Sequence, residues 1–132
     1  MENHYHAVVW IDHHEARIFH FNAADVDKLA LEPESPTRKI HHKANVIGSG
    51  HEAENSAFLR AVADSVSDAG AILIAGPANE KLEFIKFIHH HLPKLMSRIA
   101  GVETVDHPSD GALVAYARKY LKAADRMRPQ MT

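Results

Sequence analysis

Three aspartates at the ends of predicted strands are the residues of this chain that could support catalysis. Asp12 ends the first predicted strand, while Asp106 and Asp110 lie at and beyond the end of the last one, and His107 between them could also approach the site. Carboxylates that converge on one site can hold metal ions and promote hydrolysis of a phosphodiester. One hypothesis is therefore a metal-dependent nuclease or other hydrolase that uses these aspartates. The central predicted strand ends in Ala75-Gly76-Pro77, however, and supplies no further acid to such a site.

Histidine is unusually abundant, with 12 copies in 132 residues. Protonation of all 12 would bring the formal net charge from −2 to +10. Histidine changes charge near neutral pH, so the surface could respond to pH when it binds a polyanion, although solvated surface histidines are the simpler interpretation. His89, His90 and His91 are consecutive on a predicted helix and point about 100° apart, so they do not converge as metal ligands do. No metal site is predicted.

A basic cluster lies in the one long segment without apolar periodicity, Pro33–Asn55. A loop of this length in a small domain is usually functional or mobile. If it lies along RNA, its cationic side chains could neutralise several phosphates. The net charge of −2 argues against strong general affinity, and a solvated charged loop is the alternative. The predicted RNA-binding residues are Arg38, Lys39, His41, His42, Lys43 and His51.

Composition limits the class of protein. Residues 1–132 suit one domain with a single core, since 45% of them are hydrophobic and 24% are charged. The absence of cysteine excludes disulfides, thiolate catalysis and cysteine-ligated zinc. Residues 1–6 lack the basic start and long apolar stretch of a signal peptide, and no apolar run is long enough to span a bilayer. We expect a cytoplasmic protein without membrane contacts.

Two apolar runs near the start predict an antiparallel pair of strands. His6–Asp12 and Glu15–Phe21 are rich in β-forming residues and are separated by two histidines. In the resulting register Trp10 opposes Arg17, which predicts a cation–π contact between them. Apolar residues occur on both faces, so helices should cover both sides of the sheet. Weaker alternation over Asp25–Glu32 predicts a third strand.

Helices and strands then alternate. Apolar residues at the spacing of one helix face predict the helices, and Gly70 and Pro93 predict where two of them end. Asn79 and Ser109 are the predicted N-caps of the second and the last helix, and the tail after about residue 126 should fray. The predicted elements are a helix over 55–69, a strand over 71–75, a helix from Asn79 to Pro93, a strand over 102–106 and a helix over 110–125. The order is βββαβαβα, an α/β arrangement with helices packed on a mixed sheet.

Short motifs along this order resemble a known family. The segment His51–Leu59 follows the basic loop, the strand Ile72–Ala75 ends in Gly76-Pro77, and Lys81 and Phe84 open the next helix. This succession is similar to the central domain of archaeo-eukaryotic peptide-chain release factors and of Pelota, a related ribosome-rescue factor. The opening Val-Val-Trp-Ile-Asp strand extends the similarity over the whole chain. Its motifs are short and mostly structural.

The resemblance implies a ribonuclease H-like fold and a ribosome or structured RNA as partner. Catalytic release factors carry a Gly-Gly-Gln tip that places water against peptidyl-tRNA, whereas the corresponding segment Lys43–His51 contains no glutamine. A noncatalytic accessory protein of translation is therefore expected. Neither the residues nor the resemblance requires a cofactor, and a homo-oligomer is left open.

Overall fold

The computed structural model describes residues 5–33 and 49–127, with side chains from 5–33 and 55–125. Within these ranges five β-strands, three α-helices and one short 3-10 helix follow one another. They are β1 (His6–Ile11), β2 (Ala16–Phe21), β3 (Val26–Leu31), α1 (Ser49–Ser65), β4 (Ala71–Gly76), α2 (Glu80–His91), the 3-10 helix (Pro93–Arg98), β5 (Ile99–Thr104) and α3 (Asp110–Met127). The predicted order βββαβαβα is confirmed.

The five strands form one mixed sheet in the order β3-β2-β1-β4-β5. β2 is antiparallel to both β1 and β3, whereas β4 is parallel to both β1 and β5. β1 lies at the centre because its run Ala7–Ile11 is apolar throughout, and each of these residues is 0% exposed. The predicted α/β mixed sheet is thus confirmed, while the ribonuclease H-like label stays a prediction.

Helices cover both faces of the sheet. Successive side chains of a strand point to opposite faces, so Val9 contributes to one core and Trp10 to the other. α1 and α2 pack on the Val9 face through residues such as Phe58 and Phe84, and α3 packs on the Trp10 face through residues such as Leu113. In the described ranges no helix has both the length and the apolar character needed to cross a membrane.

The β1–β2 hairpin has the predicted register, in which Trp10 pairs with Arg17. The Arg17 guanidinium carbon lies 4.5 Å from the Trp10 ring centroid, which confirms the predicted contact. Asp12 makes the turn. Its Oδ1 accepts hydrogen bonds from the backbone N–H groups of His14 (2.8 Å) and Glu15 (2.9 Å). This aspartate turn explains how two histidines can occupy the connection.

The first helix begins earlier than predicted. The sequence places its start at Asn55, whereas α1 begins at Ser49, so the predicted loop over 33–55 is wrong for its last seven residues. The apolar periodicity of this helix starts at Phe58, so it does not reveal the polar helical turns that precede Phe58. A second signal was available, because Ser49 followed by Glu52 has the spacing of a capping box.

The last strand is also displaced from its prediction. β5 covers Ile99–Thr104 instead of Val102–Asp106. Gly101 lies within the strand directly beneath the Tyr120 hydroxyl, where any side chain would collide with the tyrosine. Close packing by α3 therefore accounts for a glycine inside this strand.

Candidate functional site at the carboxyl edge of the sheet

The parallel strands β1, β4 and β5 end at one edge of the sheet, which we call the carboxyl edge. Ligands of open α/β sheets bind outside this edge where the strand order reverses, and here it reverses between β1 and β4. The connections after the three strands bring several titratable side chains together. They are Asp12, His13, Glu80, Asp106 and His107.

Glu80, the first residue of α2, is a buried carboxylate at this edge. Glu80 is 2% exposed. Oε1 lies 2.9 Å from Nδ1 of His13, whose side chain is 66% exposed. Oε2 has no hydrogen-bond partner among the residues that the structure describes. A buried carboxylate oxygen without a partner lowers stability, and such groups concentrate at functional sites.

Burial raises the pKa of Glu80 above its ordinary value of 4.5, because the ionised carboxylate loses hydration. The positive charge of His13 opposes this rise, whereas the negative charges of Glu83 and Asp12 add to it. The folded protein therefore binds this proton more tightly than the unfolded chain does. This difference in proton affinity stabilises the folded state. The stabilisation is fully present below pH 4.5 and is lost as the pH rises through the pKa of Glu80 in the folded protein.

Glu80→Gln is expected to stabilise the protein relative to wild type as the pH rises above 4.5, because glutamine removes the ionising group. Urea unfolding at a series of pH values measures the difference in free energy of unfolding. His13→Asn is the matched variant. It removes the positive charge that favours ionised Glu80, so the free energy of unfolding should fall more with rising pH in this variant than in wild type. A difference between wild type and Glu80→Gln that does not change with pH would contradict the raised pKa.

His107 bridges two of the three predicted catalytic aspartates. Its Nδ1 lies 3.0 Å from Asp106 Oδ1, and its Nε2 lies 3.6 Å from Asp12 Oδ2. The imidazole ring also packs on Trp10, with 4.8 Å between the ring centroids. Because Asp12 Oδ1 already accepts two turn amides, this carboxylate serves the hairpin and the bridge. Asp12 and His107 are far apart in the sequence and meet through the sheet.

Asp110, the third predicted catalytic aspartate, has two cationic partners. Oδ1 accepts a hydrogen bond from Arg17 Nη1 and Oδ2 accepts one from Lys28 Nζ, both at 2.8 Å. These bonds, first that of Lys28 and then that of Arg17, lower the pKa of Asp110. Arg17 also donates to the Pro108 carbonyl at 3.0 Å. Asp110 thereby ties the start of α3 to β2 and β3.

The three aspartates therefore do not form an open metal site of the kind that a two-metal hydrolase needs. In the part of the chain that the structure describes, no group of three or more histidine, aspartate or glutamate side chains could hold a metal ion. The hydrolase hypothesis gains no support from this geometry.

The predicted RNA-binding residues stay predictions. Arg38, Lys39, His41, His42 and Lys43 lie outside the described residues, and His51 lies in α1 where the backbone alone is described. β3 ends at the carboxyl edge, because Leu31 pairs with Ala16 and Ala16 pairs with Ile11. β3 therefore ends at the edge where Glu80 and Asp12 lie, and the basic cluster follows it in the sequence.

Lys81 and Phe84, which carry part of the family resemblance, have structural roles. Lys81 is 7% exposed and its Nζ donates a hydrogen bond of 2.5 Å to the Ala78 carbonyl, so it holds the turn that follows β4. Phe84 is 0% exposed and belongs to the core under α2. Their neighbour Glu80 was not singled out from the sequence, because a glutamate at a helix start is ordinarily exposed.

No protein-family model and no curated protein matches this chain. Its fold is that of a domain found in solved archaeal factors of the release-factor and Pelota type, which confirms the predicted resemblance. Archaeoglobus fulgidus Pelota is 14% identical, with a TM-score of 0.62 over 92% of this chain and 33% of its own. An archaeal translation termination factor is 16% identical, with a TM-score of 0.54 over 92% of this chain and 38% of its own.

Thermoplasma acidophilum Pelota is a further fold neighbour, 14% identical, with a TM-score of 0.57 over 84% of this chain and 31% of its own. The chain thus spans about a third of the length of these solved proteins. At such identities the comparisons establish a shared fold.

Proposed function

We propose that this chain is a translation-associated binding module of the cytoplasm that contacts the ribosome or structured RNA and does not hydrolyse peptidyl-tRNA. The observation that carries the proposal is the fold similarity to Pelota and to an archaeal translation termination factor over 92% of the chain. The absence of a membrane-spanning helix from the described ranges is compatible with this location.

Affinity for RNA is assigned to the basic segment that follows β3 and extends into the first turn of α1. Arg38, Lys39 and Lys43 carry fixed positive charge, and His41, His42 and His51 can add to it as the pH falls. Charges within a few residues of one another can follow a phosphate backbone without reading bases. The chain has a net charge of −2, so binding depends on where its cations are placed and not on their total number.

The noncatalytic part of the proposal is supported by the segment Lys43–His51, which contains no glutamine to position a water molecule. The carboxyl edge does not replace that chemistry, because Asp12, Asp106 and Asp110 are engaged by turn amides, a histidine and two cationic side chains. A binding role agrees with both observations.

Ribosome co-sedimentation tests this proposal. The wild-type protein is expected to pellet with ribosomes at low salt and to be released as salt is raised, because phosphate contacts are screened. The triple variant Arg38→Ala, Lys39→Ala, Lys43→Ala should remain largely in the supernatant. By the salt dependence of phosphate contacts, the loss of three cations corresponds to a change of about 2–3 in the slope of log affinity against log salt.

Two exposed lysines of α3, Lys119 and Lys122, provide a control, because their replacement by Ala also lowers the net charge but leaves the basic segment intact. That variant should pellet like wild type. If the wild-type protein associates with neither ribosomes nor RNA at low salt, the proposed function is wrong. If the triple variant pellets as well as the control, the basic segment is not the contact.

A further inference from the structure

Charge is distributed unevenly along the chain. The stretch from Phe84 to Val102 contains no aspartate or glutamate, although the whole chain carries 17 acidic residues. Its cationic residues are Lys86, Lys94 and Arg98, joined by the three consecutive histidines His89, His90 and His91. The stretch covers most of α2, the 3-10 helix and the first part of β5.

These cations share an exposed surface. Lys86, His89 and His90 follow the i, i+3, i+4 spacing of one helix face and are all exposed. Lys94 is exposed in the 3-10 helix that follows α2. We call Lys86, His89, His90, His91 and Lys94 the basic face.

α1 extends the basic face. The guanidinium of Arg60 lies 5.5 Å from the ring centroid of Phe87, and the ring of His91 packs on the same phenylalanine at 4.5 Å. Phe87 therefore holds a fixed cation and an imidazole close to each other on one side of the molecule. Arg98 has a structural task, since its guanidinium donates to the Ser67 and Ala69 carbonyls.

The helix dipole explains part of this arrangement. Cations in the last turn of a helix interact favourably with its carboxyl end, which accounts for His89, His90 and His91. That effect is confined to the last turn and does not account for Lys86, Lys94 or Arg60, which lie outside it. The acidic groups of the surrounding elements are Glu83, 3.8 Å from Lys86 Nζ, and Asp64 and Asp68 at the end of α1 and in the turn beyond it.

The basic face also lies at the opposite end of the sheet from the carboxylates. Glu80 at the start of α2 contacts the β1–β2 hairpin at the carboxyl edge, whereas Arg98, just after α2, contacts the turn that precedes β4. Glu80 and the three histidines are therefore at opposite ends of α2.

We propose that the basic face is an RNA-phosphate-binding surface whose affinity rises as the pH falls. The inference rests on the proposed function in taking RNA as the partner, but it assigns the contact to a second surface of the described structure. Lys86, Lys94 and Arg60 supply charge at every physiological pH. The three histidines add charge wherever they are protonated, and imidazole is the side chain whose charge responds to pH near neutrality.

The test compares two double variants that remove the same charge. Lys86→Gln with Lys94→Gln alters the basic face, and Lys119→Gln with Lys122→Gln alters exposed lysines on α3 across the sheet. Binding to purified ribosomal RNA is measured by filter retention over a salt series at about pH 6 and about pH 8. We expect the first variant to have a shallower slope of log affinity against log salt by about 1–2, and the second to retain the wild-type slope.

The histidines are tested by the triple variant His89→Gln, His90→Gln, His91→Gln. Wild-type affinity should rise between about pH 8 and about pH 6, and this rise should be much smaller in the triple variant. Equal rises in both proteins would overturn the role of the histidines. Circular dichroism of each variant separates a lost contact from a lost fold.

The outcomes distinguish this inference from the proposed function. If the wild-type protein binds ribosomes and both lysine double variants bind RNA equally well, the basic face is overturned while the proposed function stands. If the wild-type protein binds neither ribosomes nor RNA, both fail. Reduced binding of the Lys86 and Lys94 variant alone supports the basic face.

Discussion

Trp10→Ala is expected to lower the free energy of unfolding by about 3–5 kcal/mol, the range found when a large buried aromatic residue is truncated. Trp10 is 0% exposed at the centre of β1 and packs under α3. Its Nε1 donates a hydrogen bond of 2.7 Å to the Asp106 carbonyl. Arg17 lies over the ring and would lose that support. The substitution therefore removes core volume, a hydrogen bond and a cation–π contact together.

Urea unfolding followed by far-UV circular dichroism measures this loss, because Trp10 is the single tryptophan of the chain and its fluorescence disappears with the substitution. Trp10→Phe is the matched control. It keeps an aromatic ring but loses the N–H donor, so its effect should be smaller, about 1–3 kcal/mol. A loss below about 1 kcal/mol for Trp10→Ala would contradict the central position of this side chain.

Gly76→Ala is expected to destabilise the protein by about 1–3 kcal/mol or more, because the added methyl group collides with backbone. Gly76 ends β4, and a Cβ atom there would meet the carbonyl oxygen of Ile11 on the neighbouring strand β1. A backbone oxygen cannot rotate out of the way as a flexible side chain can. The two strands must separate at the carboxyl edge, next to Asp12.

Gly111→Ala is the matched control for this prediction. Gly111 lies in the first turn of α3, and nothing lies within 4 Å of a Cβ added there. Alanine favours the helix over glycine, so this variant should gain about 0.5–1 kcal/mol. Thermal unfolding of both variants shows whether stability falls at position 76 and rises at position 111. Similar effects at the two positions would show that contact with Ile11 does not constrain β4.

The sheet could be predicted because its signals are local and redundant. The spacing of Asp12 and Glu15 sets the hairpin register, and that register alone places Trp10 against Arg17. The apolar run Ala71–Ala75 between two glycines predicts a buried strand, which β4 is. In patterns of this kind the apolar residues themselves form the buried face, so the sequence predicts the strand without knowledge of tertiary contacts.

Other features depended on contacts that no local pattern contains. Gly101 lies inside β5, where it pairs with Leu73 of β4, and Tyr120 of α3, 19 residues further along the chain, packs on it. Asn79 was expected to cap α2 with its side chain, but it makes no such bond and its backbone carbonyl accepts from Leu82 and Glu83 instead. Tertiary packing overrides propensity in both cases.

The candidate site was predicted in part. Asp12 and Asp106 do lie at the same edge of the sheet, as strand ends should, and His107 connects them. Asp110 was grouped with them from its position in the sequence, yet it faces Arg17 and Lys28. Glu80 was missed, because its burial and its contact with His13 of the hairpin connection arise between residues that are far apart in the sequence.

Photo-crosslinking from the basic segment tests the proposed function most directly. A photoreactive residue in place of His42, irradiated with purified ribosomes at low salt, should form crosslinks to ribosomal or transfer RNA. The same residue in place of the exposed Leu82 on α2 serves as the control and should crosslink far less. Crosslinks to RNA from position 42 that disappear at high salt are the expected result. The absence of any RNA crosslink from position 42, with the protein folded, would contradict a role in translation through this segment.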